Sequence, residues 1–347
     1  MESGDWRLGY LPADNLPGAS LTFGRVASGI YTLTKPDLKF TDMEVGDAAL
    51  PGEDGIRMGR DYRRAATVTF ELGVDGVDGP VDRHWPTRPW ADGSVGGWTP
   101  MEATLAAARK ADQGPEQWCA DGIDMLRQVW DADAVRGRAG RAAWLMHTRA
   151  GRTRQLYGRP RKFDVADERF ASQGYTSVAC DFVSVDDRFY DSTEQREELW
   201  EYHWPTLPSR PGRPAGGPNR PASGAKKSAT ITQGGSKSTF PVIVIHGPCK
   251  NPSVTLPRLW SVQVNLTIGD GEYVTIDPRP WVRTVTHTKG SSTVGAGDKL
   301  TRSSARLAQM AIPPGRWTAS MSYGAISSVH LAGPRIEIRW RNAFAGW

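Results

Sequence analysis

The histidines of this sequence are the first candidates for chemistry, because imidazole is a common metal ligand and general base. They lie at positions 84, 147, 203, 246, 287 and 330. No two of them have the three- or four-residue spacing that places a pair of ligands on one helix face. His246 ends a strand-like run just before Gly247, which favours a turn or interface residue. The histidines therefore predict no metal site.

The acidic residues offer two further candidates. Asp75, Asp78 and Asp82 lie in a glycine-rich stretch and suggest calcium, which prefers clustered oxygen ligands. That stretch lacks the twelve-residue EF-hand pattern, so solvated loop acids are the favoured interpretation. Asp186 and Asp187 are adjacent. If they lie on a strand, their side chains point to opposite faces, and the two cannot work as a general acid and base.

Nucleophile and phosphate-binding motifs are also absent from the sequence. There is no Gly-x-Ser-x-Gly nucleophile elbow. The segment from Gly295 to Lys299 comes nearest to a phosphate loop, but no glycine directly precedes the lysine and Leu300 follows it. We therefore predict no catalytic, cofactor-binding or metal-binding residues, no cofactor and no enzymatic activity.

Composition indicates a chain that buries two cores. The 347 residues suffice for two domains. No run approaches the roughly 18 apolar residues of a membrane helix, and no early stretch resembles a signal peptide. Cys119, Cys180 and Cys249 are far apart and odd in number, which fits neither a disulfide framework nor a metal site. These features favour synthesis in a reducing cytosol.

Charge is divided unevenly along the chain. Residues 1–203 hold 25 Lys and Arg against 33 Asp and Glu, whereas residues 204–347 hold 18 against 5. An acidic half joined to a basic half suggests complementary surfaces that meet within a chain or between copies. The alternative interpretation is that the charge of each half serves only its solubility.

Basic clusters raise a nucleic-acid hypothesis, because positive segments bind phosphate without sequence preference. The clusters are Arg149, Arg152, Arg154, Arg159, Arg161 and Lys162, and then Arg210, Arg213, Arg220, Lys226 and Lys227. The second cluster lacks interleaved aromatic residues for base stacking, and the first belongs to the acidic half. A solvated or subunit-facing surface is favoured, and no sequence-specific nucleic-acid binding is expected.

The first half reads as strands interrupted by helices. Alternation predicts a strand over 67–72, and strand patterns return at 142–148, 154–157 and 175–185. Between them, Thr99 is placed to N-cap a helix with Glu102 at the capping-box position, and the apolar spacing from Pro115 to Trp130 predicts a second helix. The segment 194–200 suggests one or two helical turns.

The second half reads as antiparallel sheet. Pro, Gly, Ser and Arg dominate residues 205–235, which favours a flexible linker. The strand patterns beyond it cover residues 240–245, 262–268, 273–276 and 336–340. The predicted fold class is mainly β with a small helical insertion around 99–130. The predicted domains are 1–204, a linker or extended loop at 205–238, and 239–347.

Several short motifs, taken in order, resemble the distal tail proteins of long-tailed, siphovirus-type bacteriophages, often called minor tail proteins in phages of actinobacteria. In the first half these are Leu21 to Gly24, Ile30-Tyr31, Asp54-Gly55 with Gly59 and Asp61, Tyr157 to Phe163 and Asp186 to Tyr190. In the second half they are Gly247 to Pro252, Gly269 to Asp277, Arg283 to Val285 and Pro313 to Gly315. The stretch 73–130 and the linker depart from the family pattern.

The resemblance implies a ring of six copies at the end of the tail tube. The first domain is then a split β-barrel that forms the ring around the DNA channel, and the second is a galectin-like β-sandwich. The implied partners are further copies of the chain, the tail tube protein, the tail-tip hub protein, the tape measure protein and receptor-binding proteins. The implied location is the tail tip of a virion, after synthesis in the host cytoplasm.

Three functional hypotheses remain after this reading. The first is a structural virion protein. The second is a carbohydrate-binding module for the host envelope, with Trp260, Trp281 and Trp317 as candidate stacking residues, although core packing also explains each of them. The third is cell-wall hydrolysis. It requires a pair of properly placed carboxylates or a zinc site, and the second domain has only Asp270, Glu272, Asp277, Asp298 and Glu337 to supply one.

Overall fold

The computed structural model of the chain confirms the mainly β fold class. It describes residues 3–13, 16–39, 43–49, 56–59, 62–63, 65–76, 114–165, 171–202, 224–324 and 333–347. The chain divides into two compact units. The first comprises residues 1–192 together with 345–347, and the second comprises residues 193–344.

Strands make up most of the first unit. They are β1 (Trp6–Tyr10), β2 (Ala19–Phe23), β3 (Ile30–Thr32), β4 (Asp37–Lys39), β5 (Met43–Glu44), β6 (Ala48–Ala49), β7 (Ile56–Arg57), β8 (Tyr62–Arg63), β9 (Thr67–Asp75), β10 (Ala143–Arg149), β11 (Arg152–Val165), β12 (Tyr175–Ser184) and β13 (Phe189–Asp191). The described helices are α1 (Pro115–Asp131) and the short α2 (Asp133–Arg136), with 3-10 turns at Val26–Ser28 and Ala171–Gln173.

The main sheet of this unit curls into a nearly closed barrel. Its strand order is β2-β1-β10-β11-β12-β9-β3, with β4 also paired to β9 and β13 to β11. A bridge between Gly24 and Tyr31 joins the chain just after β2 to β3, the two ends of that order. Along β12 every second residue is buried, as expected for a strand with one face on a core.

Helix α1 packs against the barrel-like sheet and supplies its largest buried side chain. Pro115 occupies the first turn, where its missing N–H costs nothing. The helix buries Leu126, Val129 and Trp130 completely. The Trp130 ring meets Phe23 and Phe70 edge-on, with centroids 6.3 and 6.0 Å away. The predicted helix from Pro115 is thus confirmed. The helix expected from Thr99 falls outside the described residues.

Residues 345–347 return to the first unit after the second unit is complete. The Trp347 ring lies edge-on to Trp6 at 5.4 Å and to His147 at 5.1 Å, and 4.6 Å from Phe189. The Nη1 of Arg154 donates a hydrogen bond to the Gly346 carbonyl. The first unit is therefore built from both ends of the sequence.

Two sheets form the second unit. The seven-stranded sheet has the order β15-β14-β25-β17-β21-β22-β23, and the five-stranded sheet has the order β16-β24-β18-β19 with β20 paired to β18. Their strands are β14 (Gln195–Tyr202), β15 (Gly224–Lys226), β16 (Ser228–Gln233), β17 (Val242–His246), β18 (Cys249–Leu256), β19 (Trp260–Gln263), β20 (Thr267–Ile268), β21 (Tyr273–Asp277), β22 (Thr284–Lys289), β23 (Ser292–Gly295), β24 (Gly315–Gly324) and β25 (Arg335–Trp340). A last short strand, β26 (Ala343–Phe344), belongs to neither of these two sheets.

One apolar core joins the two sheets. It takes Ile243 and Ile338 from the first sheet and Val254 and Met321 from the second. Because side chains alternate across a strand, β25 sends Ile336, Ile338 and Trp340 to the core, and Arg335, Glu337 and Arg339 to the outer face of the seven-stranded sheet.

The structure differs from expectation at three places. Residues 195–202 form strand β14 where helical turns were expected, because pairing along β25 overrides the helical preference of a Glu-rich segment. Residues 224–226 and 228–233 form strands within the expected linker, since Ala229, Ile231 and Gln233 alternate inward within a polar composition. Asp186 and Asp187 lie in the bend between β12 and β13 rather than on a strand. The expected domain limits remain a prediction.

Candidate functional site

Among the described residues, no three His, Cys, Asp or Glu side chains come together as metal ligands. His147 stacks on Trp6, 4.0 Å between ring centroids, and lies 3.1 Å through Nδ1 from the Asp5 carbonyl. His287 lies 3.1 Å through Nε2 from Glu272. His84, His203 and His330 fall outside the described part of the chain.

The cysteines are buried and protonated. Burial, with a smaller contribution from Asp75, raises the pKa of Cys119 to about 11, and burial raises that of Cys249 to about 12. A thiol needs its thiolate form to attack or to ligate a metal. Cys180 is also fully buried, so these three side chains behave as small core residues.

The predicted acidic candidates do not converge. Asp75 ends strand β9, whereas Asp78 and Asp82 lie outside the described residues. Asp298 pairs with Lys299 at 2.7 Å in a 3-10 turn at the former phosphate-loop candidate. Glu272 forms an ion pair with Lys289, with 3.0 Å between Oε1 and Nζ.

Asp186 anchors a closed cluster in the first unit. Its Oδ2 accepts hydrogen bonds from the Tyr190 hydroxyl at 2.7 Å and Arg188 Nη1 at 3.1 Å, and its Oδ1 accepts one from the Arg188 amide. Burial raises the pKa of Asp186, although Tyr190 and Arg188 oppose that shift. The neighbouring Ser184 hydroxyl accepts from the Ala66 amide and donates to the Asp186 carbonyl. The cluster therefore fixes a turn.

Two arginines of the first basic cluster are also used internally. Arg154 is buried and binds the Gly346 carbonyl. Arg159 donates to the carbonyls of Arg136, Arg138 and Arg141, which follow or end α2. Lys226 and Lys227, from the second cluster, pair with Glu197 and Glu201 at 2.7 and 2.8 Å. These ties reduce the charge available to a phosphate backbone.

The three candidate tryptophans do not form one stacking platform. Trp260 belongs to the core and donates from Nε1 to the Ala311 carbonyl at 3.0 Å. Trp317 packs against the same core and donates to the Pro313 carbonyl. Trp281 follows β21 and lies under the guanidinium of Arg279, 5.5 Å from its ring centroid. Core packing thus accounts for two of the three.

Residues 43–49, 56–59 and 62–63 contain four short strands, which we call the arm. Strands β5 and β8 pair with each other, as do β6 and β7, and within the described residues none of the four joins a larger sheet. Val45 is 60% exposed and Met58 is 80% exposed. Isolated strand pairs this short have little stability in water, which makes the arm a candidate contact for another molecule.

The outer face of the seven-stranded sheet carries a second candidate surface, the arginine face, formed by Arg196, Arg335, Arg339, Glu337 and His246. Glu337 Oε1 accepts a hydrogen bond from Arg196 at 2.7 Å, and Oε2 accepts one from Arg339 Nε at 3.0 Å. Arg335 Nη2 forms an ion pair with Oε1 at 3.0 Å. Burial alone acts to raise the pKa of Glu337, but Arg339, Arg196 and Arg335 outweigh it and lower that pKa.

The outer face of the five-stranded sheet is different, because hydroxyl side chains cover it. Ser253 and Ser322 bond across strands at 2.9 Å, and Thr255 and Ser261 bond at 2.8 Å. The second unit therefore presents one face with bonded hydroxyl pairs and one face built around a buried carboxylate.

The sequence indicated Glu337 only as one of five carboxylates that a hydrolase site could use, and it did not predict the arginine face. The available signal was the alternation Arg-Ile-Glu-Ile-Arg over 335–339, which places all three charges on one side of a strand. Arg196 was not foreseeable, because it comes from a segment expected to be helical.

Comparisons with known proteins give solved structures only. No model of a protein family matches the chain, and no curated protein matches it. One solved structure is described as SPP1 Dit (gp 19.1), "a Paradigm of Hub Adsorption Apparatus in Gram-positive Infecting Phages", with 12% identity, a TM-score of 0.44 and 91% of each chain covered. Two others are the phage P2 baseplate in its activated conformation, with Ca and with Sr. Each has 10% identity and a TM-score of 0.46, covering 96% of this chain and 97% of the other. Within the described residues, no helix has the length and apolar character to cross a membrane.

Proposed function

We propose that this chain is a structural protein of a phage tail tip. In this proposal, copies of the chain assemble into a ring that connects the tail tube to the tail-tip hub and the receptor-binding proteins. The first unit surrounds the channel for DNA, and the second unit projects as a galectin-like sandwich. In this role the chain acts through its shape and its contacts with other subunits, which agrees with its many turn-and-strand motifs.

The observation that carries the self-association part is the arm at residues 43–63. Its pairing is confined to itself among the described residues, yet it exposes Val45 and Met58. Large apolar side chains that are exposed together on one element favour a contact site. A neighbouring copy of the chain would cover them in a ring, because a ring repeats one head-to-tail contact around its axis.

The motifs that resemble distal tail proteins also occupy architectural positions. Asp186 to Tyr190 form the closed turn cluster that leads into β13. Gly269 to Asp277 form the turn before β21 and β21 itself. Pro313 to Gly315 precede or begin β24. Residues of the resemblance therefore fix turns and strand starts, as a structural role requires.

Mass measurement of the purified native chain tests this proposal. The wild type should sediment or scatter as a multiple of the single-chain mass, and the double variant Val45→Asp/Met58→Asp should shift toward the monomer. Val294→Asp is the matched control, since Val294 is 54% exposed on strand β23 of the second unit. Charging Val294 should leave the mass unchanged.

A wild-type chain that stays monomeric at every concentration and is missing from purified tails would contradict the proposal. A ring that stays intact in the Val45→Asp/Met58→Asp variant would contradict the role given to the arm. Electron microscopy of particles carrying a labelled chain would supply the location at the tail tip.

The carbohydrate-binding alternative no longer rests on Trp260 or Trp317, since both pack on the core. Trp281→Ala remains its direct test at the original site. The observation that now favours sugar binding is a different one, the arginine face of the second unit.

A further inference from the structure

Glu337 is a buried carboxylate on the outside of a sheet. Its side chain is only 3% exposed, although its strand position points away from the core. The cover comes from cations: Arg196 on β14, Arg335 and Arg339 on β25, and His246 on β17, whose Nε2 is 3.5 Å from Oε1. A carboxylate in this position holds several cationic side chains in fixed directions.

The arginines around Glu337 keep much of their binding capacity. Their side chains are 47% (Arg196), 42% (Arg335) and 37% (Arg339) exposed. Each guanidinium has five N–H donors. Among the described residues, the Nη1 groups of these three arginines have no hydrogen-bond partner, because the bonds to Glu337, Glu198 and His246 use Nη2 or Nε. Oriented donors that still face water suit a planar acid group.

An aromatic ring extends the arginine face along one row of the sheet. Arg335 lies opposite His246, and His246 opposite Tyr273 on the next strand. The rings of His246 and Tyr273 are 5.7 Å apart between centroids. With strands roughly 4.8 Å apart, this row spans about 10 Å, which is longer than a single carboxylate or phosphate group.

Charge on this face selects among extended anions. Three guanidiniums meet two carboxylates, Glu337 and Glu198, so only a small positive excess remains. A nucleic acid carries a negative charge on every nucleotide and would meet Glu198 as well as the arginines. A sugar chain carries hydroxyl groups that donate to carboxylates, and its ring stacks on aromatic faces. An acid group placed on a sugar chain therefore fits both kinds of side chain.

We propose that the arginine face, with Tyr273, binds an acidic oligosaccharide through a carboxylate or phosphate group. The acid group accepts from Arg196 and Arg335, whose guanidiniums both lie beside Glu337 Oε1, and a sugar ring lies against Tyr273. Glu337 positions the guanidiniums and does not contact the ligand. The inference deepens the carbohydrate-binding alternative and is independent of ring assembly, so a monomeric chain would leave it standing.

Binding to the full-length chain at low salt tests the proposal by calorimetry. The probes are hexagalacturonate, which carries carboxylates, and an oligomer of glycerol phosphate, which carries phosphates, so the two arms distinguish the source of the acid group. Maltohexaose is the neutral probe and oligothymidylate the nucleic-acid probe. We expect binding of at least one acidic probe, weakened by added salt because exposed charges are screened, and no binding of maltohexaose.

The variant Arg196→Gln/Arg335→Gln should bind the acidic probe about tenfold more weakly or worse. Arg302→Gln/Arg316→Gln is the matched control, because it removes the same charge from exposed positions elsewhere in the second unit and should bind as the wild type does. Tyr273→Ser keeps all charges and should weaken binding several-fold, which covers the case of an unstable arginine variant.

Three results would overturn the proposal. One is the absence of binding to both acidic probes. Another is an equal loss in the control variant, which would mean attraction to net charge alone. The third is tighter binding of oligothymidylate that is lost in the Arg196→Gln/Arg335→Gln variant, which would assign the face to nucleic acid.

Discussion

Two buried carboxylates, one in each unit, use the same partners toward different ends. Asp186 is 9% exposed and Glu337 is 3% exposed, and both accept from arginine. Around Asp186 the donors are less exposed, since Tyr190 is 4% exposed and the Arg188 side chain 22%. Around Glu337 the arginines are a third to a half exposed.

The difference teaches how to separate a structural ion pair from a binding surface. A buried carboxylate whose donors have little exposure stabilises the local chain conformation. A buried carboxylate whose donors face water orients those donors, so that they can bind a ligand. The surroundings also move the pKa in opposite directions, upward for Asp186 through burial and downward for Glu337 through its arginines, against the effect of burial.

The largest expected effect is that of Asp186→Ala. Removing this carboxylate strands the buried Arg188 guanidinium and Tyr190 hydroxyl, and breaking a buried pair costs about 3 to 5 kcal/mol of the free energy of unfolding. Unfolding by urea, which adds no ions, measures it. Asp187→Ala, at the half-buried neighbour, should cost under about 1 kcal/mol. Equal losses for the two variants would remove the structural role given to Asp186.

A smaller loss is expected for Glu337→Ala, about 1 to 2 kcal/mol, because its three arginines can regain water. Part of that loss is repulsion among exposed guanidiniums, so 0.5 M salt should reduce it. The penalty of Asp186→Ala should be nearly insensitive to salt. If Glu337→Ala costs as much as Asp186→Ala and ignores salt, the contrast between the two clusters fails.

The smallest effect is a difference in pH dependence. A raised carboxyl pKa makes the folded state bind more protons, so the contribution of Asp186 grows as the pH falls toward its unfolded value near 4. The lowered pKa of Glu337 acts the other way: its contribution is present above the unfolded value and is lost as the pH falls through the folded one. Thermal unfolding between pH 6 and 3 should show the deficit of Asp186→Asn growing and that of Glu337→Gln shrinking. Parallel trends would contradict both assignments.

Local patterns predicted much of the fold. The alternation of apolar and polar residues predicted β9, β12 and β25, and helical apolar spacing predicted α1 although its N-terminus lacks a side-chain cap. These patterns are visible because each of these elements buries one face. Strands β14 and β16 escaped, because glutamates and hydroxyl residues hide a period of two and only pairing with distant strands defines it. The arginine face escaped for the same reason, since Arg196 reaches Glu337 across 141 positions of sequence.

The return of residues 345–347 to the first unit has a mechanical consequence. The polypeptide passes between the units twice, at 192–193 and again at 344–345. A force applied to the second unit is therefore distributed over two covalent connections of the chain. After proteolytic scission at 192–193 alone, the fragments would still be held by Trp347 among Trp6, His147 and Phe189.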